Sequence, residues 1–484
     1  MALHRARWIP GRAQRNQPGD SEVRLRAALH ESVCPICSVG FGADTQWLKF
    51  FLHEGYHANE ALARVTRAPG FCSRHGALLA TYSVDSGAIA WIHAATLARL
   101  LDEADHSASV RRSWALRPTR YHRAPTRPTC GACERVSSDA ERNAYFLALV
   151  LQRPDAGRYG SPGLVCMPHL ALLSKFSDPK TLKQLLAVHA DRLNDLVHRA
   201  ADGTHADGDA SRRSAAPESG LGLERAIATV IGERVPSIGE GSIASIDPLA
   251  SIGDPCKRLR ARLSSDGVCA ICAEMAEVQR QWLHWLSENA AGTQSIEDAL
   301  PSCPAHVWLA FRAGVPALRV RLARRVLEQA QERIKHARHW GLKSRPNDLS
   351  YAGLIATWAA RRSAVNEARA ILNQAPRCAL CDSLHALSQQ TLCLLGTLLA
   401  ETATQQAFET GSGICARHAV QARSLLDSIE AERLAKHMRV KLSAMRWQLR
   451  EMLRRTAWDT RPEPRGEELS AWRRAIWVVS GHMT

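Results

Sequence analysis

Two short stretches decide how this chain is read: Cys34-Pro35-Ile36-Cys37 and, 34 residues further on, Cys72-Ser73-Arg74-His75. The pair recurs three more times. Cys130-Gly131-Ala132-Cys133 is followed by Cys166-Met167-Pro168-His169, and Cys269-Ala270-Ile271-Cys272 by Cys303-Pro304-Ala305-His306. The fourth copy is Cys378-Ala379-Leu380-Cys381 with Cys415-Ala416-Arg417-His418. The later gaps are 32, 30 and 33 residues, a regularity that marks four copies of one unit.

The chemistry follows from the residue types. Cys-x-x-Cys brings two thiolates to neighbouring corners of a metal ion. Cys-x-x-His does the same on the first turn of a helix, where residues three apart share a face. The partial positive charge at a helix N-terminus favours the thiolate form. Each unit is therefore expected to supply three sulfurs and one imidazole, a closed tetrahedral shell typical of structural zinc. Four zinc ions are the expected cofactors, with iron–sulfur clusters as the alternative. Cys256 and Cys393 lie outside the pattern and are expected to be buried as small apolar residues.

Outward from the units, the chain divides. Gln46-Trp47-Leu48 and Gln281-Trp282-Leu283 occupy matching places in the first and third units, which groups the four units into two tandem modules. The expected boundaries are 1–20, a disordered basic N-terminus; 21–200, the first module; 201–255, a flexible linker; 256–457, the second module; and 458–484, a tail. Within the linker, Gly222–Glu233 has the pattern of a short helix, and Trp472–Trp477 in the tail could form a docking helix. Apolar residues recur at three- and four-residue spacing, as in Leu182, Leu185, Leu186, Leu193 and Leu196, and strand patterns are scarce. The expected fold class is all-α.

Composition narrows the partners. The net charge of +16 favours anionic ones, either nucleic acid or an acidic protein. Six arginines (Arg111, Arg112, Arg117, Arg120, Arg123, Arg127) surround Trp114 in one basic segment, and Lys335, Arg338, Trp340 and Lys343 form its counterpart. Cations interleaved with aromatic rings suit phosphate contacts and base stacking, so these residues are candidate anion-binding positions. The longest apolar runs are too short to span a membrane. Residues 1–20 lack an apolar leader, and paired cysteines without an export signal point to a cytoplasmic location.

His53-Glu54-Gly55-Tyr56-His57 fits the His-Glu-x-x-His zinc-protease pattern, but its central glycine weakens the helix that chemistry needs. No set of acid, base and nucleophile stands out, so an enzyme is disfavoured; a site between the modules is the reading that would restore one. The pair His336 and His339 reads as polar surface.

Cys34-Pro35-Ile36-Cys37, the aromatic run Trp47-Leu48-Lys49-Phe50-Phe51-Leu52, and Gly70-Phe71-Cys72-Ser73-Arg74-His75 together resemble a group of prokaryotic proteins of unknown function. Those proteins carry a CPxC…GFCxxH signature on a helical scaffold. The third unit departs from it with Pro301-Ser302 before its cysteine, and the second with Gly163-Leu164-Val165. The resemblance implies metal binding and a helical fold, and no activity. The sequence thus predicts a zinc-stapled scaffold or adaptor with basic surfaces, with a redox or iron–sulfur protein as the alternative.

Overall fold

The structure is a computed structural model. It describes residues 20–31, 33–66, 70–81, 86–114, 130–153, 164–206, 217–232, 253–265, 267–292, 296–342, 351–374, 377–456 and 466–481. Among these the fold is all-α, with short 3-10 turns and no strand. The expected disordered segment 1–20 lies outside the described residues except for Asp20.

The helices gather into two compact units, each drawn from three separate stretches: Met1–Phe41, Ser138–Arg234 and Ser302–Pro376 in one, Gly42–Ser137, Val235–Pro301 and Arg377–Thr484 in the other. Each unit therefore takes segments from both halves of the sequence and does not coincide with 21–200 or 256–457.

In the first unit the long Pro179–Ala206 helix packs against Pro316–Leu342, which also receives Tyr351–Asn373 and Pro217–Ile231. The periodic leucines explain the first contact: Leu182, Leu185, Leu186 and Leu193 are buried, as are Leu318, Leu322, Val326 and Leu327. Burying each such side chain contributes about 1.5–3 kcal/mol relative to exposure. Arg369 fixes the Tyr351–Asn373 helix by donating to the carbonyls of Ser174 (2.7 Å) and Ser177 (3.1 Å).

In the second unit the Ser86–Trp114 helix packs along Ser428–Arg455 and Ala471–Ser480. Phe51, Phe71, Ile89, Ile92, Leu97, Leu434, Leu449, Trp472 and Ile476 belong to one continuous apolar core. The segments read as linker and tail both contribute here or in the first unit. Pro217–Ile231 buries Ala226, Ile227 and Val230, and Ala471–Ser480 buries Ala475, Ile476 and Val479. Apolar residues at i, i+1 and i+4 give each helix a stripe that must be covered.

Candidate metal centres

All eight half-sites are built alike. The first cysteine of each stands just before a helix, and its carbonyl accepts the N–H of the residue four positions on. Those bonds run from Ser38 to Cys34, Gly76 to Cys72, Glu134 to Cys130, Leu170 to Cys166, Ala273 to Cys269, Val307 to Cys303, Asp382 to Cys378 and Ala419 to Cys415. The Cys-x-x-Cys half-sites are thus first helical turns, just as the Cys-x-x-His half-sites are. The second ligand then falls three residues on, beside the first.

The half-sites do not close within their own sequence units. Four sets of ligand atoms able to hold a metal ion lie within 4.8 Å of one another: Cys34, Cys37, Cys166 and His169; Cys72, His75, Cys130 and Cys133; Cys269, Cys272, Cys415 and His418; and Cys303, His306, Cys378 and Cys381. All sixteen expected ligands are used, with three sulfurs and one imidazole per set as expected, but each set joins two units. The arrangement is nested. In both halves the first Cys-x-x-Cys meets the last Cys-x-x-His (an outer set), and the two middle half-sites meet each other (an inner set). Cys34 and His169 are 135 positions apart, Cys269 and His418 149, but His75 and Cys130 only 55.

The physical reason lies in the helices that the half-sites start. Gly131–Leu151 runs 21 residues, and Ala270–Asn289 and Ala379–Leu398 run 20 each. At 1.5 Å per residue such a helix carries the chain roughly 30 Å from its own cysteines. The first Cys-x-x-Cys starts only the short Pro35–Gly40 helix, after which Ala43–His53 carries the chain on. The regular 30–34-residue gap thus records helix and connector length, not the closing of a chelate.

The spacings fit one small ion per set. Sulfur-to-sulfur distances are 3.8 Å (Cys37–Cys166) and 3.6 Å (Cys72–Cys133). Sulfur to histidine Nδ1 spans 3.1 Å (Cys72–His75) to 3.6 Å (Cys272–His418). A tetrahedron with Zn–S near 2.3 Å and Zn–N near 2.0 Å has edges of roughly 3.8 and 3.5 Å. In every set the histidine presents Nδ1.

The electrostatics agree. Hydrogen bonds with Cys130 and Cys133 hold Cys72 far below the ordinary thiol range, and bonds with Cys130 and Cys72 push Cys133 up. Bonds with Cys269 and Cys272 lower Cys415, and bonds with Cys269 and Cys415 raise Cys272. Burial alone would depress His75, but hydrogen bonds to Cys130 and Cys72 reverse that and lift it to about 9. In both sets these bonds favour the thiolate form of one sulfur. A divalent cation would take the place of the remaining thiol protons, so binding would release them.

Residues beyond the ligands support the sets. Asp44 lies 3.8 Å from His75 Nε2 and 2.5 Å from Arg74. At 3.8 Å the carboxylate is too far to hydrogen-bond the ring, and it acts on the far nitrogen through its charge alone. His189 is buried, with Nε2 2.9 Å from the carbonyl of Val165, the residue before Cys166. His93, His189 and His437 follow their ligand histidines by 18, 20 and 19 positions, and all three are buried. That recurrence was visible in the sequence and is not part of the Cys-x-x-His signature.

A second recurrence was also missed. Arg225-Ala226-Ile227 with Val230 and Gly232 matches Arg474-Ala475-Ile476 with Val479 and Gly481. Each run ends its helix in a glycine of positive φ, +91° at Gly232 and +71° at Gly481. A Cβ on Gly232 would lie 3.4 Å from Cys166 Sγ and 3.6 Å from Cys37 Sγ; on Gly481, 3.1 Å from Cys415 Sγ and 3.4 Å from Cys272 Sγ. Both outer sets are covered in the same way.

The other candidates fare differently. Arg117, Arg120, Arg123, Arg127 and Lys343 lie outside the described residues, as do the side chains of Arg111, Arg112, Trp114 and Trp340. Lys335 and Arg338 are exposed on the Pro316–Leu342 helix, and Lys335 pairs with Glu332 at 3.6 Å. His336 also faces Glu332, at 3.5 Å. The Ala43–His53 helix ends inside the protease-like motif, and Gly55–His57 is a separate 3-10 turn, so its histidines do not sit on one continuous helix. Cys256 is half-buried, whereas Cys393, expected to be buried, is exposed, because its helix turns Leu392 and Leu395 inward. No described helix is long and apolar enough to cross a membrane. Comparison of the chain with known protein families, curated proteins and solved structures finds no match.

Proposed function

We propose that the chain is a zinc-stapled helical scaffold that presents basic surfaces to nucleic acid. The observation that carries the metal half is the composition and size of the sets: three sulfurs and one Nδ1, all within 4.8 Å. Four protein donors fill a tetrahedron and leave no corner for a substrate water, which favours a structural role over catalysis. Zinc fits a site of this size as a single ion. A polynuclear iron–sulfur cluster interposes its own sulfides and spreads its cysteines farther apart.

The charge of +16 supports the partner. On the Ser428–Arg455 helix, Lys436, Arg439, Trp447 and Arg450 share one exposed face, where Glu432 is the acid nearest them in register. Trp447 is 65% exposed, a ring available for stacking beside cations. The basic segments 111–127 and 335–343 supply further cations and aromatic rings of the same kind.

Two measurements test this. Elemental analysis of the purified chain should give four zinc ions per molecule; iron with visible absorbance would replace zinc by clusters. Affinity for generic RNA or DNA should fall steeply with salt, and Lys436→Ala with Arg450→Ala should lower the salt slope by about two. Absence of binding at low salt would leave an acidic protein as the partner.

A further inference from the structure

Three of the sets each lie wholly within a single compact unit, one in the first and two in the second, and they differ in which residues are half-buried. In the inner set, Cys72 and Cys133 are half-buried while Cys130 and His75 are buried. In the outer set of the second unit all three sulfurs, Cys269, Cys272 and Cys415, are buried and only His418 is half-buried. The outer set of the first unit is similar: Cys34 and Cys166 are buried, Cys37 and His169 half-buried. Two cysteines are half-buried in the inner set, one (Cys37) in the first unit's outer set and none in the second unit's outer set.

The glycine that ends each repeated helix accounts for the difference. Pro217–Ile231 packs on the Met167–Ser174 helix that carries His169, and Ala471–Ser480 packs both on the Ala416–Ala422 helix that carries His418 and on the Ser73–Thr81 helix that carries His75. What is particular to the outer sets is the glycine that ends each helix against their sulfurs. Their matched residues Ile227 and Ile476 are fully buried, so both helices are anchored. Each delivers a glycine to two sulfurs of an outer set, at a distance where a side chain would press on Cys415. Positive φ turns the chain across the sulfurs, and only glycine adopts it without strain.

We infer that the glycine ends of 217–232 and 471–481 cap the outer sets, and that they divide the metal sites into two reactivity classes. Capped outer sites hold their ion as permanent staples. The inner site, with two half-buried cysteines, exchanges its ion and meets electrophiles and oxidants first, because thiolate chemistry needs an approach path to sulfur. The division rests on the zinc reading above. It extends that reading by assigning different roles to chemically identical ligand sets.

The test is a time course on the zinc-loaded full chain with a soft chelator and iodoacetamide. Sulfur attacks the reagent's carbon and iodide leaves, so each modified cysteine is located by mass. Cys72 and Cys133 should be labelled at least about tenfold faster than Cys269, Cys272 and Cys415, with zinc lost in step. Gly481→Ala should move Cys272 and Cys415 into the fast class, and Gly232→Ala should do so more weakly for Cys166. Gly42→Ala is the strain control: it has φ +73° and open space around the new Cβ. It should leave outer labelling unchanged. Helicity by circular dichroism confirms that each variant folds. A single common rate in a chain that holds four zinc ions, or outer cysteines labelled first, overturns the caps. A chain without zinc overturns the reading beneath them instead.

Discussion

The second compact unit holds an inner set, Cys72, His75, Cys130 and Cys133, and an outer set, Cys269, Cys272, Cys415 and His418. Both use the same four donors, on first helical turns closed by the same backbone bond. They differ in their surroundings. The inner histidine is backed by Asp44, and the core around it holds Phe71 and His93. The outer sulfurs lie under Gly481 and the Ala471–Ser480 helix. Ligand chemistry is local, but shielding and tuning come from elements remote in sequence.

Breaking a ligand tests what the sets share. Cys415→Ser and Cys72→Ser should each lose one zinc ion. Structural zinc contributes on the order of 10 kcal/mol in peptide systems, so both should lower the melting temperature sharply. A variant that kept its zinc count and its melting temperature would remove the structural role for that set.

The core on the outer side is the next lever. Ile476 is fully buried under the cap, so Ile476→Ala should cost about 2–5 kcal/mol in denaturant unfolding. It should also speed labelling of Cys415 more than that of Cys133. Equal acceleration at both would show that the helix supports the unit generally and does not cap one set.

Acid sharpens the comparison from the inner side. Burial lowers His93 to about 4 from an ordinary 6.5, partly offset by its bond to the Ile89 carbonyl at 2.8 Å. The folded chain keeps the ring neutral while the unfolded chain takes up a proton. The contribution is therefore present above about pH 6.5 and lost as pH falls towards 4, on the order of 3 kcal/mol in all. His93→Gln should flatten the acid limb of stability against pH by that amount. An unchanged limb would place His93 in a wetter site.

The smallest effect expected is at Asp44. Asp44→Asn keeps the shape and removes the charge 3.8 Å from His75, and should weaken zinc at the inner set by about tenfold or less. The outer sets should be unaffected. A uniform loss across all sets would mean that Asp44 acts on the fold.

Much of this was legible in the sequence. The sixteen ligands, the all-α class and the periodic leucines of Pro179–Ala206 follow from spacing alone. The caps were legible too, as the repeated Arg-Ala-Ile run ending in glycine, but that repeat is short and carries no ligand, so the cysteines overshadowed it. Asp44 had no sequence signal, because a carboxylate 30 positions from its partner Arg74 is one of many.

The sequence by itself determined which atoms can bind metal and how each pair is presented, because three-residue spacing on a first helical turn is a local property. Only the tertiary structure decided which pairs meet. Every Cys-x-x-Cys offers the same two sulfurs, and every Cys-x-x-His the same sulfur and nitrogen, so ligand chemistry cannot choose between partners. The choice falls to the long helices behind them. Ser86–Trp114 packs on Ser428–Arg455, and Pro179–Ala206 on Pro316–Leu342, and their buried faces bring together half-sites that lie far apart in the chain.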